Sequence, residues 1–397
     1  MSKIVYLTDQ PFDERNYDRF GIQAWIDRNW SVEVWDLTPW AHPRMWRDFT
    51  HYGRKPKRFT GYFAISSWSE LALRYRECKQ IKYFIDLTGE SYQSLRVKLS
   101  LARAGAARIA CALGSIPEPE PSHRRGFAGR FRKALTMGPR GALRALRDRV
   151  FSKTAAAFAA PRLVVVGGRT SVHSVGSERA IIRAHNFDYD IYLKLARSGG
   201  AAAEKYAVFV DQDYCFHPEF TCEDSSTIIT PGKYFPAVCS GLATISASLK
   251  MPMRIAAHPR ATYRQRGMNC FEGFPVEYGR TAELIRDCSA VVCHDSTAIQ
   301  FAVLFGKPVI FVTTDELIPC YEGRSIAKVA AELGKSPINL DGDLRTVDWR
   351  EQLHVDSGRY AQYRNEYIKT DGSPQLPVWD IVIDRIEDAE RYLQVPE

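Results

Sequence analysis

Four polar clusters in this sequence each come directly after a short apolar run. They are Asp86 to Glu90, Asp211 to Asp213, His258 to Arg260 and His294 to Thr297. If the apolar runs are parallel strands, ligands bind outside their carboxyl ends, where these clusters stand. Histidine, arginine and hydroxyl groups at such positions can bind an anion, and the carboxylates can transfer protons.

The hydroxyl pair Ser296 and Thr297 is the first candidate for an anion site. Ser296 stands where a helix over 297–304 would begin, and the free backbone N–H groups of a helix N-terminus attract phosphate. His258 and Arg260 follow a neighbouring predicted strand and can donate further hydrogen bonds to the same phosphate. The alternative is that Ser296 only caps its helix and that His258 only ends its strand.

The tetrapeptide Ala-His-Pro-Arg occurs twice, at 41–44 and at 257–260. The first copy follows Thr38-Pro39-Trp40 rather than an apolar strand, and we predict that it is loop. The second copy follows a strand-like run, so its position, and not the motif alone, makes His258 a candidate. No Gly-x-Gly-x-x-Gly motif follows the first strand and no Walker A loop is present, which disfavours dinucleotide cofactors.

Short apolar strands alternate with helical stretches through most of the chain. The pattern predicts βαβ units and mainly parallel sheets, in two doubly wound domains. We place the first domain at 1–198, with a helical insertion at about 115–160, and the second at 204–375. The segment from Arg197 to Ala203 has linker composition. A last helix within 376–397 is expected to cross back to the first domain.

The overall composition is that of an ordinary globular protein. The chain has 397 residues, of which 45% are hydrophobic and 25% are charged, enough for two cores. This excludes a disordered, collagen-like or disulfide-scaffold chain. The chain opens on a strand-like run, lacks a signal-peptide pattern and has no apolar run of about 20 residues. We therefore expect a cytoplasmic protein, with its nine cysteines reduced.

The formal net charge of +8 comes from one segment. Ten Lys or Arg residues and a single acid, Asp148, lie between Arg124 and Lys153. A nucleic-acid patch is one interpretation, but no binding fold accompanies it, and a merely solvated insertion is another. We favour a membrane-surface element, because two short amphipathic helices with Phe and Leu on one face suit anionic lipid headgroups.

The second half resembles the donor-binding domain of bacterial GT-B glycosyltransferases over residues 206–340. The elements that carry the resemblance are His258-Pro-Arg after a strand, Gly279 to Leu284, His294 to Ala298, and Phe305-Gly-Lys-Pro-Val-Ile. A His-Pro element followed by a Ser-Ser/Thr element is similar to the enzymes that use CMP-activated acidic sugars, the sialyltransferases and Kdo transferases. The acidic Asp/Glu-Asp/Glu-Gly motif of several sialyltransferase families is not evident.

This resemblance implies a GT-B-like fold, with two Rossmann-like domains facing a cleft, the first for the acceptor and the second for the donor. It implies that His258, Ser296 and Thr297 hold the nucleotide phosphate. The full set of donor-binding residues that we predict on this basis is His258, Arg260, Gly279, Thr281, Glu283, His294, Asp295, Ser296 and Thr297.

Glycosyl transfer needs a carboxylate as base or as nucleophile. Asp211 is the first candidate because it ends the first strand of the donor domain, and a retaining Kdo transferase is thought to use such an aspartate. Asp213 and Glu90 are the next candidates, and Asp9 could approach from the first domain. The sequence Asp211-Gln-Asp213 also has the form of a metal motif, but we predict no metal and no cofactor beyond the CMP-sugar substrate.

The function that we predict is transfer of an acidic sugar, most simply Kdo, from CMP to a surface glycan such as lipopolysaccharide or capsule. The enzyme would lie on the inner face of the inner membrane through its basic segment, with a lipid-linked or oligosaccharide acceptor and without nucleic acid. The alternatives are a GT-B transferase that uses a UDP- or GDP-sugar, a nucleotide-sugar epimerase, and an inactive scaffold of polysaccharide assembly.

Overall fold

A computed structural model describes residues 2–77, 81, 83–119, 147, 150–151, 153–155, 157–175, 180–198, 205–217 and 229–394. These residues form two β-sheets, of seven and six strands, in which every neighbouring pair of strands is parallel. The basic segment 124–153 lies almost entirely outside the described residues.

The first sheet has the order β3-β2-β1-β4-β5-β6-β7. Sequential strands run outward from β1 in one direction and, after a crossover, from β4 in the other, which is the Rossmann order. The strands are β1 Lys3–Thr8, β2 Ser31–Asp36, β3 Tyr62–Ala64, β4 Tyr83–Leu87, β5 Ala107–Ala112, β6 Leu163–Val166 and β7 Ala180–Arg183.

The second sheet repeats the same winding, with the order β10-β9-β8-β11-β12-β13. The chain again switches direction between its first and fourth strands, here β8 and β11, and this switch point is where such sheets bind ligands. The strands are β8 Ala207–Val210, β9 Met253–Ala257, β10 Val276–Tyr278, β11 Ala290–Cys293, β12 Val309–Thr313 and β13 Ile338–Asn339.

Helices connect the strands and cover the sheets. In the first domain they are Glu14–Arg19, Ile22–Asp27, Thr38–Ala41, Pro43–His51, Trp68–Glu77, Tyr92–Arg103, Arg169–Val175 and Phe187–Arg197. In the second domain they are Pro231–Leu249, Thr281–Asp287, Ile299–Leu304, Tyr321–Glu332, Trp349–Gln352 and Ser357–Tyr363, with a 3-10 turn at Leu344–Thr346 and a π-helical turn at Arg364–Ile368. Helix Val378–Gln394 ends the described chain.

The strand β1 shows why the sheet runs are continuously apolar. Ile4 and Tyr6 pack into one buried cluster, and Val5 and Leu7 pack into another on the opposite face. Both faces of a parallel strand are covered by helices, so alternation with polar residues is lost. The prediction of an α/β protein with two doubly wound domains is confirmed.

The last helix packs on the first domain although the chain reaches it from the second. Val378, Trp379 and Ile383 are buried in the same cluster as Tyr6 of β1. The indole N–H of Trp379 donates to the carbonyl of Arg19 at 2.7 Å. The two domains are therefore tied together by the end of the chain as well as by the linker.

The hydrophobic pattern of the sequence does not predict three of the strands, β7, β10 and β13. They are edge strands with four, three and two residues. An edge strand is partly solvated and short, so it carries too few apolar residues to stand out. No helix within the described residues combines the length and the apolar character needed to cross a membrane.

Candidate functional site

The carboxyl ends of the two sheets face each other. Arg260, three residues beyond β9, donates a hydrogen bond of 2.5 Å to the side-chain oxygen of Gln10, two residues beyond β1. Gln300, in helix Ile299–Leu304 after β11, donates to the carbonyl of Ser115 beyond β5. Segments that follow strands of both sheets therefore meet between the two domains.

Arginines and aromatic rings from both domains line this cleft. The guanidinium of Arg266 lies 4.5 Å from the ring centre of Tyr52 in the first domain and 4.9 Å from that of Phe216 in the second. Arg54 forms an ion pair of 2.7 Å with Asp13. The lining residues are Pro11, Asp13, Met45, Asp48, Phe49, Tyr52 and Arg54 from the first domain, and Phe216, Arg260, Thr262 and Arg266 from the second.

Asp211 does not face this cleft. It is only 1% exposed, and its carboxylate accepts hydrogen bonds from the backbone N–H groups of Asp213 and His258 and from the hydroxyl of Tyr263. The carboxylate joins the ends of β8 and β9. The role of Asp211 as catalytic base or nucleophile stays a prediction; in this structure its carboxyl bonds to groups of the second domain.

Asp213 is also 1% exposed, and neither of its carboxyl oxygens has a hydrogen-bond partner among the described residues. Its backbone is in the left-handed region, with φ of 54°, at the start of the turn that leads to His217. Burial, followed by the charge of Asp211, raises the pKa of Asp213 to about 8. The carboxyl is therefore mainly neutral at pH 7 and is not an ionised nucleophile.

His258 lies at the end of β9 in ring contact with a second histidine. The ring centres of His258 and His217 are 4.8 Å apart at an interplanar angle of 82°. The Nδ1 atom of His258 accepts a hydrogen bond of 3.2 Å from the backbone N–H of Arg260, which leaves the proton of the neutral ring on Nε2. Burial, followed by the positive surroundings, holds the pKa of His258 well below its usual value.

Ser296 and Thr297 lie in a turn before the helix rather than in it. The Ser296 hydroxyl accepts a hydrogen bond of 3.2 Å from the backbone N–H of Ala298, and the helix begins at Ile299. Thr297 is exposed. Strand β8 lies between β9 and β11, so His258 and Ser296 do not follow neighbouring strands.

The side chains of His294 and Asp295 form hydrogen bonds to other groups of the second domain. His294 is fully buried, with Nδ1 at 2.7 Å from the carbonyl of Val312 and Nε2 at 2.9 Å from the hydroxyl of Tyr234. Asp295 accepts a short hydrogen bond of 2.5 Å from the hydroxyl of Tyr214. The donor contact of His294 stays a prediction; in this structure both of its ring nitrogens bond to groups of the second domain.

Gly279, Thr281 and Glu283 lie where β10 passes into helix Thr281–Asp287. Gly279 has a positive φ of 70°, a backbone conformation that glycine adopts without strain. Thr281 and Glu283 are partly buried in the first turn of the helix. They follow β10, which lies beside β9 at the edge of the sheet, and their donor-binding role stays a prediction.

The first domain contributes a histidine and a carboxylate that face each other. Nε2 of His42 lies 3.7 Å from a carboxylate oxygen of Asp9, and the His42 side chain is 26% exposed. Asp9 also accepts hydrogen bonds from the backbone N–H of Gly89 and from the hydroxyl of Ser94. Although burial opposes ionisation, the side chain of His42 and the hydrogen bonds from Ser94 and Gly89 hold the pKa of Asp9 below its usual value. The predicted Glu90 is more exposed and approaches Lys98 at 3.3 Å.

No family model and no curated protein matches this chain. Solved structures match along its whole length. The structure of the glycotransferase of kitacinnamycin is 14% identical, with a TM-score of 0.50, and the match covers 97% of this chain and 98% of that one. UDP-N-acetylglucosamine 2-epimerase from Rickettsia bellii is 9% identical, with a TM-score of 0.50 and 98% of each chain covered.

The chain has a GT-B-like fold.

Within this GT-B-like frame, His42 and His217 are the polar residues that sequence reasoning missed. His42 belongs to the first Ala-His-Pro-Arg copy, which we predicted to be loop but which joins two helices, Thr38–Ala41 and Pro43–His51. His42 is separated from β2 by that first helix, so the only sequence signal for it is the repeated Ala-His-Pro-Arg motif. His217 carries no motif, and only the packing of the turn after β8 against β9 brings it to the site.

Among the described residues, no group of three or more His, Cys, Asp or Glu side chains is arranged to hold a metal ion. The positive charges beside the cleft come instead from arginines. Arg54, Arg260 and Arg266 line the cleft, whereas Asp13 and Asp48 are its acids. The cleft of this GT-B-like molecule thus favours an anionic ligand.

Proposed function

We propose that the protein is a glycosyltransferase that takes its sugar from a nucleotide donor. The observation that carries this proposal is the hydrogen bond of Arg260, three residues beyond β9, to Gln10 beyond β1, at a cleft that arginines from both domains line. A donor phosphate at the second domain would bring its sugar to the facing edge of the first. Such an arrangement suits transfer between two bound substrates.

The donor phosphate would bind between His258 and Ser296. Nε2–H of a neutral His258 donates to a phosphate oxygen, and the backbone and hydroxyl groups of Ser296 and Thr297 reach the other side. The buried carboxyl of Asp211 positions His258 by accepting a hydrogen bond from its backbone N–H.

The acceptor hydroxyl would lose its proton to His42. Asp9 is ionised and stabilises the imidazolium that forms, as a carboxylate does behind a histidine base. Because Asp211 and Asp213 are both buried, neither presents a nucleophile to the sugar. Direct displacement with inversion of the anomeric centre therefore fits the described residues better than the retaining route, and Glu90 is the second candidate for the base.

For the donor we propose a CMP-activated acidic sugar, with Kdo as the first to test and a bacterial surface glycan as acceptor. The support is the sequence resemblance of the His-Pro and Ser-Thr elements, together with cleft arginines that suit a carboxylate. A UDP- or GDP-sugar is the alternative donor. A nucleotide-sugar epimerase is the alternative activity, since a structure of that name has the same fold.

The test is a transfer assay on the full chain with CMP-Kdo, UDP-N-acetylglucosamine and GDP-mannose, with and without an oligosaccharide acceptor. Acceptor-dependent release of CMP, lost in His258→Gln and kept in the exposed His354→Gln control, would support the full proposal. Release of UDP or GDP instead would overturn the proposal of a CMP-activated donor but would still support a transferase. Conversion of UDP-N-acetylglucosamine to its epimer without an acceptor would overturn the transferase itself.

A further inference from the structure

The cavity between the two domains combines apolar walls with an exposed arginine. On the first-domain side, helix Pro43–His51 contributes the buried side chains of Met45 and Phe49. On the second-domain side, Phe216 and the exposed Arg266 line the cavity. The space between them is about 520 Å³, part of it open to solvent, within the range of about 300 to 1,000 Å³ of small-molecule pockets.

Arg266 is held in position by its own turn. Its backbone N–H donates to the carbonyl of Thr262 at 2.9 Å, and its Nε donates to the hydroxyl of the same residue at 2.8 Å. Gly267 follows with a left-handed φ of 65°. Tyr263, in the same turn, donates its hydroxyl hydrogen bond to Asp211, directly beyond β8. The guanidinium is therefore pre-organised, which lowers the entropy cost of binding a ligand.

Arg266 differs from the other two arginines of the cavity in what its guanidinium contacts. Arg54 forms an ion pair with Asp13, and Arg260 donates to Gln10. In the part of the chain that the structure describes, the terminal amino groups of Arg266 have neither a hydrogen bond nor an ion pair, and only its Nε is bonded. The edge formed by the two terminal amino groups matches the two oxygens of a carboxylate.

Aromatic rings lie beside this guanidinium. Its central carbon is 4.5 Å from the ring centre of Tyr52 and 4.9 Å from that of Phe216. A pocket that combines aromatic walls with a few polar groups binds a ligand through its apolar face and orients it through its polar ones. A sugar ring has such an apolar face, made of its C–H groups. The cavity therefore suits a sugar ring that carries a carboxylate.

We propose that Arg266 binds the carboxylate of an acidic sugar in this cavity and thereby selects acidic sugars over neutral ones. This inference rests on the proposed function and names the residue that would select its substrate. The carboxylate belongs either to the donor sugar or to the acceptor, and both present the same group to the same edge of the guanidinium. No covalent bond changes in this step.

Saturation-transfer NMR titrations on the full chain test this proposal, with glucuronate and glucose as a matched pair of probes at pH 7. We expect the wild type to bind glucuronate about tenfold more tightly than glucose, because a charged hydrogen-bonded pair contributes at least that much. Arg266→Gln should lose this preference. Arg264→Gln is the control and should keep it, because Arg264 lies over the ring of Tyr278 and does not line the cavity.

Several results would overturn the inference. They are equal or absent binding of the two sugars by the wild type, and a preference for glucuronate that persists in Arg266→Gln. An equal weakening of both sugars in Arg266→Gln would also overturn it, because the arginine would then only join the two domains. Tighter binding of glucose 6-phosphate than of glucuronate would replace the carboxylate by a phosphate.

Two further ligands identify the substrate that carries the carboxylate. If it is the donor, Arg266→Gln weakens the binding of CMP-N-acetylneuraminate but not that of CMP. If it is the acceptor, the variant binds both as the wild type does and loses affinity for a disaccharide that ends in glucuronate. A preference for glucuronate without any nucleotide binding would support the site and overturn the proposed function. Transfer between neutral sugars alone would overturn the inference and leave a transferase standing.

Discussion

At the residue scale, the proposed glycosyl transfer depends on which side chains reach the cleft. Asp211 and His294 have the residue types of a catalytic site, but all their partners lie inside the fold. Their positions after strands could be predicted from the sequence, whereas their burial could not. Whether a strand-end carboxylate turns to the ligand or back to a loop depends on distant residues such as Tyr263.

Replacing His42 by glutamine should lower the rate of transfer by about 100-fold or more, since a positioned general base contributes about that much. The binding of the nucleotide should stay within a few-fold of the wild type, because His42 lies on the acceptor side. Steady-state kinetics with the donor that the transfer assay identifies would measure both effects. Glu90→Gln is the matched comparison, and a larger loss there than in His42→Gln would move the base to Glu90.

Asp213→Asn should stabilise the protein by an amount that grows with pH. In the unfolded chain this carboxyl has a pKa of about 3.9, whereas in the folded protein its pKa is raised to about 8. The folded state therefore binds the proton more tightly, and Asp213 reduces stability progressively as pH rises from about 4 to 8. The full shift corresponds to a gain of up to about 5 kcal/mol at pH 8, against about 1.5 kcal/mol at pH 5.

Urea unfolding of the wild type and Asp213→Asn at both pH values measures this difference. The exposed Asp371→Asn is the control and should change little at either pH. An equal gain at pH 5 and pH 8 would mean that the substitution acts through packing and not through ionisation of Asp213.

At the element scale, the long strands and helices could be predicted because their apolar spacing is complete. The hydrophobic pattern predicts a helix over about 231–249 and strands over 3–8, 31–36, 253–257 and 290–293. These are the bounds of helix Pro231–Leu249 and of strands β1, β2, β9 and β11. The helix after β11 starts two residues later than predicted. The Ser296 hydroxyl and carbonyl accept hydrogen bonds from the backbone N–H groups of Ala298 and Ile299, which forms a turn before the helix. Such local competition between turn and helix is not visible in the hydrophobic pattern.

The last helix should matter for the stability of the first domain. Trp379 is almost fully buried there and meets the ring of Tyr6 edge to face at 5.3 Å. Trp379→Ala should lower the free energy of unfolding by about 3 to 5 kcal/mol, the usual effect of emptying a large core position. Leu376→Ala, at a side chain that is 46% exposed, should lower it by less than about 1 kcal/mol.

Chemical denaturation of the two variants would measure the comparison. A loss below about 1 kcal/mol in Trp379→Ala would show that the helix is not an integral part of the first domain's core.

At the scale of the whole molecule, two Rossmann-like domains with facing strand ends could be predicted from the rhythm of the sequence. The meeting of particular residues across the cleft could not, because it depends on how the domains are oriented. Arg266 between Tyr52 and Phe216 is one example, since these residues are far apart in sequence and share no motif.

The membrane-surface role of the basic segment stays a prediction, because most of 124–153 lies outside the described residues. A variant that lacks residues 124–146 should lose co-sedimentation with vesicles that contain phosphatidylglycerol, because these residues supply most of the segment's positive charge. Its nucleotide binding should be unchanged. Vesicles of phosphatidylcholine alone are the control, and equal sedimentation of both proteins with anionic vesicles would contradict the prediction.

Binding of a nucleotide by the second domain at His258 underlies the proposed function. A thermal-shift screen with CMP, CDP, UDP, GDP and ADP tests it. Selective binding raises the melting temperature by mass action, by several degrees when the ligand is far above its Kd. We expect a shift with CMP that is lost in His258→Ala and kept in His354→Ala. A shift with UDP or GDP instead would indicate a UDP- or GDP-sugar as the donor. No shift with any nucleotide would contradict nucleotide binding at His258.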